Sequence, residues 1–512
     1  MSELTITNID SVNIRIDCEK STAKELSDFF TFKVPGHEYM PAFRNKIWDG
    51  QIKLYNIYKQ TIYKGLYDYV VKFAKDRNYK IVEPEPIVKT KGIKEEQIQK
   101  FIDEHLKPVA GGEEITAHEH QIEAVSHAIN NDRCLLLSPT GSGKSLIIYA
   151  LIRYYLDIIP NDKKILIIVP TTSLVRQMLS DFSEYSSQTK WKAEDNCHCV
   201  YAGKDKISEK RVIISTWQSI YKLGREYFDN FRACFGDECH LFKSKSLTTL
   251  MTKLENCPYR IGTTGTLDDS LTHKLVIEGL FGRVCKVTTT KKLMSKDLLS
   301  KLKIDCILLQ YPEKTREDVK RIKYQDEIDW IVTNEDRNKF ICDLGLQLKG
   351  NSLILFQFVE KHGKPLFERL RREAGDSRDV FFVFGGTDVE LREQIRQITE
   401  KKDNAIIVAS YGTFSTGISI RKLHNIIFAS PSKSRIRILQ SIGRQLRKSE
   451  HKDTAKLYDL ADDLHWKAYK NHTLRHYERR LKIYQTEGFD YTQIFLHIKG
   501  KEHDATIDIS NY

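Results

Sequence analysis

The stretch Cys134-Leu135-Leu136-Leu137-Ser138-Pro139-Thr140-Gly141-Ser142-Gly143-Lys144-Ser145-Leu146-Ile147-Ile148-Tyr149-Ala150-Leu151 decides the fold. A strand-length apolar run gives way to a Gly-containing turn and then to a helical pattern, the setting that a phosphate-binding loop requires. Gly141 and Gly143 let backbone N–H groups close around phosphate oxygens at a helix N-terminus, with Thr140 and Ser142 as the other members of the loop. Lys144 is spaced to reach the β- and γ-phosphates, and Ser145 to bind Mg²⁺. The usual pattern opens on Gly, a position held here by Ser138. ATP and Mg²⁺ are the cofactors this stretch predicts.

Outward from it the same texture repeats. Apolar runs at Lys164–Val169, Arg211–Ser215, Ala233–Gly236 and Tyr259–Thr263 each precede a polar turn and a helical pattern. After a charged interval the texture resumes at Ser352–Gln357, Val380–Phe384, Ala405–Ala409, Asn425–Ala429 and Ala455–Tyr458. Apolar strands alternating with helices predict parallel sheets covered on both faces. Two such blocks predict two tandem doubly wound α/β domains, residues 111–300 and 301–462. Asp237-Glu238-Cys239-His240 follows an apolar run in the first block. Acids at the carboxyl edge of a parallel strand lie where nucleotides bind. Asp237 suits Mg²⁺, and Glu238 suits a general base for the attacking water. In the second block, Gln440-Ser441-Ile442-Gly443-Arg444-Gln445-Leu446-Arg447 puts Arg444 and Arg447 on one helix face, apt for a γ-phosphate.

The flanks differ. Residues 1–110 mix aromatic with basic side chains and read as a small α/β accessory domain ending in a helical connector. Its aromatics serve either as core or, for a subset around Phe43, Arg44, Lys46 and Trp48, as a face toward duplex or junction DNA. Residues 463–512 lose strand texture and read as a short, basic, helical tail, either solvated or contacting nucleic acid.

Composition narrows the class. The 512 residues carry 81 Lys plus Arg against 69 Asp plus Glu, net +12, which mildly favours a polyanionic partner. With 40% hydrophobic and 29% charged residues the chain can fill more than one core, so disorder is not the default. No apolar run reaches the roughly 18 residues of a membrane span, so no membrane partner is expected. Ten Cys without a CxxC pair predict a reduced cytoplasmic protein, in the host cytoplasm if the chain is viral.

Taken in order, Gln121, SPTGSGKS (138–145), PTTSLVRQ (170–177), STWQ (215–218), DECH (237–240), TTGT (263–266), SYGTFSTGIS (410–419) and QSIGRQLR (440–447) resemble the motif series of superfamily 2 helicases. The resemblance runs from about residue 115 to 460. It extends to helicases of tailed-phage recombination and repair through Pro41-Ala42-Phe43-Arg44 and Trp48-Asp49-Gly50. It implies two RecA-like domains with ATP bound between them. Gln121 then resembles the adenine-reading glutamine, with His120 where relatives carry an aromatic. Thr264 and Thr266 resemble the motif that couples hydrolysis to strand movement. Thr171, Thr216 and Gln218 resemble strand contacts of the first domain. Gln357, Gly386, Thr387, Ser415 and Thr416 resemble those of the second. Gly417 resembles the glycine of the turn beside the nucleotide, and Ser419 stands where many relatives have Asp. Gln440, Arg444 and Arg447 resemble γ-phosphate sensors and arginine fingers.

The function so implied is an ATP-dependent DNA helicase and translocase, moving 3′ to 5′ as a monomer. Its implied partners are branched or forked DNA and RNA–DNA hybrids, with recombination or single-strand-binding proteins beside it. The implied reactions are fork regression, four-way junction migration and R-loop unwinding. The alternatives are a motor subunit of a restriction system, which needs a nuclease this sequence does not display, and a nucleic-acid-binding scaffold with a vestigial ATPase.

Overall fold

The computed structural model describes residues 3–88, 91–267, 271–417, 420, 422–432, 434, 438–439, 441–443, 446 and 454–498. It divides into two compact units, Met1–Thr288 and Thr289–Tyr512.

The first unit begins with a five-stranded sheet of β1 (Glu3–Asn8), β2 (Asn13–Asp17), β3 (Tyr55–Asn56), β4 (Thr61–Tyr63) and β5 (Lys80–Val82), in the order β3-β4-β2-β1-β5. Alternation drives it: Leu4, Ile6, Ile14 and Ile16 turn inward and are fully buried. Helices Lys20–Phe29 and Tyr67–Asp76 cover that face with Ala23, Leu26, Val70, Phe73 and Ala74.

Seven strands then form a wholly parallel sheet: β6 (Arg133–Leu137), β7 (Lys164–Val169), β8 (Cys197–Val200), β9 (Val212–Thr216), β10 (Phe231–Gly236), β11 (Tyr259–Thr264) and β12 (Val284–Lys286). The order is β8-β9-β7-β10-β11-β6-β12. Both faces are buried, and the two-residue period splits the side chains between two cores. Leu135, Leu166 and Ile168 join the core shared with the N-terminal sheet, whereas Leu136, Ile165 and Ile167 face the opposite core. The connector is part of that second core, through Ile98, Ile102 and Leu106.

The second unit repeats the plan with β13 (Lys301–Gln310), β14 (Ser352–Phe356), β15 (Val380–Val383), β16 (Ile406–Ser410), β17 (Asn425–Phe428), β18 (Thr454–Asp463) and β19 (Tyr491–His497). Its order is β15-β16-β14-β17-β18-β13-β19, again all parallel.

The region after Asp463 departs from the strandless tail that the sequence predicts. It holds helix His472–Glu487 and then β19, which pairs with β13 from Ile304↔Tyr491 to Gln310↔His497. The polar Thr492 and Gln493 interrupt the apolar pattern of this edge strand, and its apolar Phe495 is exposed. The helix is two-faced. Arg475, Arg479 and Lys482 are exposed, but Arg480 points inward and donates from Nε to Asp459 Oδ2 at 2.8 Å.

Candidate functional site

The phosphate-binding loop leaves the carboxyl end of β6 and enters helix Lys144–Ile158 with Gly143 as its N-cap. Gly141 (φ +84°) and Gly143 (φ +81°) occupy the left-handed region, which an L side chain resists. At Gly143 a Cβ would also lie 2.0 Å from Gln121 Nε2. The loop is braced from within: the Ser138 and Ser142 hydroxyls lie 2.6 Å apart, and Ser142 Oγ donates to Pro139 O at 2.7 Å. Lys144 Nζ donates to Ser138 O at 3.2 Å. The first N–H groups of the helix have no intrahelical acceptor, so the cradle suits a phosphate.

Asp237 and Glu238 stand at the end of β10, two strands from β6. Asp237 is buried and its Oδ1 accepts the Thr263 hydroxyl at 2.8 Å. Burial, and then the neighbouring Glu238 carboxylate, push the Asp237 carboxyl up against the opposing pull of Lys144. A carboxylate so disfavoured gains from a cation, and Ser145 and Asp237 are hard oxygen donors of the kind Mg²⁺ takes, so the residues fit that ion. Glu238 sits at φ +53°, a strained conformation for a non-glycine residue of the kind that concentrates at active sites.

Sequence reasoning quoted His240 without giving it a role. Its Nδ1 lies 3.3 Å from Glu238 Oε2 and 3.2 Å from Thr264 Oγ1, so one imidazole bridges the candidate base and the TTGT segment. Thr264 Oγ1 donates to Thr266 O at 2.9 Å. Gly265 abuts the phosphate loop, where a Cβ would be 3.6 Å from Thr140 N and 3.7 Å from Lys144 Nζ. Such a bridge is legible only in three dimensions, since 24 residues separate His240 from Thr264.

Gln121 is buried. Its Nε2 donates to Ser142 O at 3.0 Å, and its Oε1 accepts the His118 N–H at 2.9 Å. Each end of the amide thus spends one bonding position on the protein and keeps one. His120 shares the Ser142 carbonyl at 3.0 Å.

The proposed strand contacts lie at carboxyl ends of strands in both sheets. Thr171 follows β7 and caps helix Thr172–Tyr185. Thr216 ends β9 and bonds Ser219, while exposed Gln218 donates to Pro170 O at 3.3 Å and so links the two loops. In the second unit exposed Gln357 follows β14. Gly386 and Thr387 follow β15, where Thr387 Oγ1 accepts the Phe384 N–H. Ser415, Thr416 and Gly417 end helix Tyr411–Gly417 after β16. Ser419, Gln440, Arg444 and Arg447 lie outside the described residues. In the N-terminal sheet's loop Arg44 is exposed, but Trp48 is half-buried and its Nε1 donates to Gln51 O at 2.8 Å.

Residues 3–83 match the family described as DNA helicase UvsW, N-terminal, and residues 114–269 match Type III restriction enzyme, res subunit. The ATP-dependent DNA helicase uvsW of Enterobacteria phage T4 is 36% identical over 503 residues, covering 94% of this chain and 97% of that protein. The chain belongs to the UvsW family of ATP-dependent DNA helicases. The crystal structure of T4 UvsW superposes with a TM-score of 0.51 at 33% identity, over 97% of this chain and all of that one. A DNA 3′-5′ translocase, XPB2 of Sulfurisphaera tokodaii, is 24% identical over 66% of this chain and 80% of its own length. The UvsW match includes the N-terminal sheet, whereas the restriction-subunit match covers only the first ATPase block. This chain is therefore an enzyme that uses ATP to unwind DNA. No helix among the described residues is long and apolar enough to cross a membrane.

Proposed function

We propose that this UvsW-type helicase acts on branched nucleic acid, regressing forks, migrating four-way junctions and unwinding R-loops in phage recombination, repair and replication control, and that it moves 3′ to 5′. One observation carries the reading: the N-terminal sheet is locked onto the first parallel sheet. Tyr69 OH donates to Glu278 Oε2 at 2.7 Å, Arg133 Nη2 to Ser11 O at 2.8 Å, and Arg283 pairs with Asp68 at 3.4 Å. The backbones touch as well, because a Cβ on Gly65 would lie 2.0 Å from Glu278 O. A second contact point held at a fixed offset from the motor suits a substrate with more than one arm.

The loop from Val34 to Gly50 shows what that contact point offers. It is braced by His37 Nδ1 to Val34 O at 2.9 Å and by His37 edge-on to Phe43 at 4.7 Å. Its tip displays Tyr39 (76% exposed) and Ile47 (79% exposed) beside exposed Arg44 and Lys46. Exposed apolar side chains on a braced loop suit unpaired bases, and Arg44 and Lys46 beside them suit nearby phosphates.

Within the motor, Lys144 would hold the β- and γ-phosphates, Ser145 and Asp237 would hold Mg²⁺, and Glu238 would take the proton of the attacking water. Held by Ser145 and Asp237, Mg²⁺ would neutralise phosphate charge as the bond to the γ-phosphate breaks. Gln440, Arg444 and Arg447 would sense the γ-phosphate. The test is ATP hydrolysis with matched single-stranded, linear duplex, forked and four-way DNA and an RNA–DNA hybrid, with Glu238→Gln as the dead control. Stronger stimulation by branched DNA, lost on Tyr39→Ala/Ile47→Ala, supports the reading. Equal stimulation by any single strand refutes the branch preference.

A further inference from the structure

In the second unit a chain of polar groups runs from the carboxyl end of β14 to the residues just after β17. Strand β14 ends at Phe356, and the backbone then makes one wide helical turn over Val359–Gly363, in which the Gly363 N–H bonds Phe358 O at 2.9 Å. Such π-type turns re-aim side chains and recur at functional sites. Here the turn buries His362 completely.

The hydrogen bonds around His362 fix one proton arrangement. Asn338 Nδ2 donates to Val332 O at 2.9 Å, which turns Asn338 Oδ1 toward the imidazole. His362 Nε2 lies 3.1 Å from that oxygen and must donate to it, leaving Nδ1 as the acceptor. Ser430 Oγ, 2.9 Å from Nδ1, is then the donor. Ser430 Oγ accepts in turn the backbone N–H of Gln357 at 3.0 Å. Burial, and then the nearby Arg337 guanidinium, hold the imidazole well below its usual range, so the neutral form persists.

Ser430 stands just beyond β17, at the root of the segment leading to Gln440–Arg447. The same root is held by Tyr411 OH, donating to Ser430 O at 3.1 Å, and by Arg480 Nη1, donating to Ser432 O at 3.0 Å. Farther on, Ile438, Ile442 and Leu446 are buried in the second unit's core. Gln357 and Tyr411, by contrast, open the two loops assigned to strand contact.

We infer that His362 and Ser430 are positioning residues that tie the strand-contacting backbone at Gln357 to the root of the arginine-bearing segment, so that gripping DNA raises the rate of ATP hydrolysis. The inference rests on the roles proposed above for Gln357 and Arg444. The tie transmits position, and no proton moves along it during turnover.

The test uses full-length Ser430→Ala, Ser430→Thr, His362→Phe, Gln357→Ala and Arg444→Ala proteins. The readouts are DNA-stimulated kcat, KM for ATP, the DNA concentration giving half-maximal stimulation, and melting temperature. Rates are normalised to active sites titrated with a fluorescent ATP analogue. Ser430→Ala and His362→Phe are expected to lower stimulated kcat about tenfold with KM for ATP within about twofold, the scale of one lost buried hydrogen bond. Ser430→Thr, which keeps the hydroxyl, is expected to restore the rate. Gln357→Ala keeps the backbone N–H and should shift mainly the half-maximal DNA concentration. Loss shared equally by Ser430→Thr, or accounted for by the active-site titre, would overturn the tie. If Arg444→Ala abolishes stimulated hydrolysis while Ser430→Ala retains it, the tie alone fails. If Arg444→Ala changes nothing, the assignment of that segment fails first.

Discussion

The two parallel sheets share one plan and put it to different uses. In each, the strands lie side by side as the third, fourth, second, fifth, sixth, first and seventh in chain order. In each, the loops proposed to grip a strand leave one half of the carboxyl edge: β9 and β7 in the first sheet, β15, β16 and β14 in the second. The other half separates them. In the first sheet β10, β11 and β6 end in Asp237-Glu238, Thr264 and the glycine-bearing loop. In the second, the sixth and first strands end instead in Asp462 and next to Tyr311. There Arg337 Nε and Tyr311 OH both donate to Asp462 Oδ1 at 2.8 Å, all three buried. A buried ion pair stands at the strand ends whose counterparts in the sister sheet carry Thr264 and the glycine-bearing loop. Shared topology thus places the loops, and the residues on them decide whether a position does chemistry or packing.

The largest expected effect breaks the first sheet's half of this comparison. Glu238→Gln should cut ATP hydrolysis by about 10²- to 10⁴-fold, the range of a lost general base, while retaining nucleotide binding. Single-turnover hydrolysis alongside fluorescent-nucleotide binding checks it. A variant hydrolysing at near the unaltered rate would mean the base lies elsewhere.

The second prediction attacks the other sheet. Asp462→Ala leaves Arg337 buried without its partner and should cost about 3–5 kcal/mol, seen in denaturant unfolding of the second unit. Arg337→Met/Asp462→Leu, which removes both charges, should recover most of that. If instead Asp462→Ala folds with unchanged stability and loses hydrolysis, the pair is part of the chemistry and the contrast between the sheets collapses.

How much of this was legible in the sequence follows from which contacts are local. The phosphate loop and DECH could be read because their residues are neighbours in the chain and their strands are apolar on both faces. The second sheet's strands β14 to β18 were legible for the same reason. Strand β19 was not, because its apolar run is only Ile494-Phe495-Leu496 and follows the polar Thr492 and Gln493. Arg480 looked like a surface cation because its partner Asp459 lies one strand away. The bond from Trp48 Nε1 to Gln51 O was not legible, because it depends on how the turn closes.

A third and smaller effect concerns the bridge within the first sheet. His240→Ala removes the group between Glu238 and Thr264. Unwinding of a forked duplex should fall about tenfold more than DNA-stimulated hydrolysis does, on the scale of one buried hydrogen bond. Equal losses in both assays would make His240 an accessory of the base alone, with no part in coupling.

The smallest effect has the opposite sign. Asp237 is an acid whose folded-state pKa is raised, first by burial and then by Glu238. The folded protein therefore binds that proton more tightly than the unfolded chain. The associated stability is fully present below the unfolded pKa and is lost as pH rises through the folded one. At neutral pH, without Mg²⁺ or nucleotide, the first sheet carries that cost for a carboxylate it needs only when loaded. Asp237→Asn keeps the acceptor for Thr263 and removes the charge, so it should raise the stability of the nucleotide-free protein by about 0.5–2 kcal/mol while ending Mg²⁺-dependent hydrolysis. Unfolding curves in chelator, repeated from neutral pH downward, should show the gain shrinking as Asp237 itself takes up a proton. A gain that stays constant with pH would trace to packing and not to charge. The second sheet offers the control: its buried Asp462 already has a cation in Arg337, so Asp462→Asn should destabilise where Asp237→Asn stabilises.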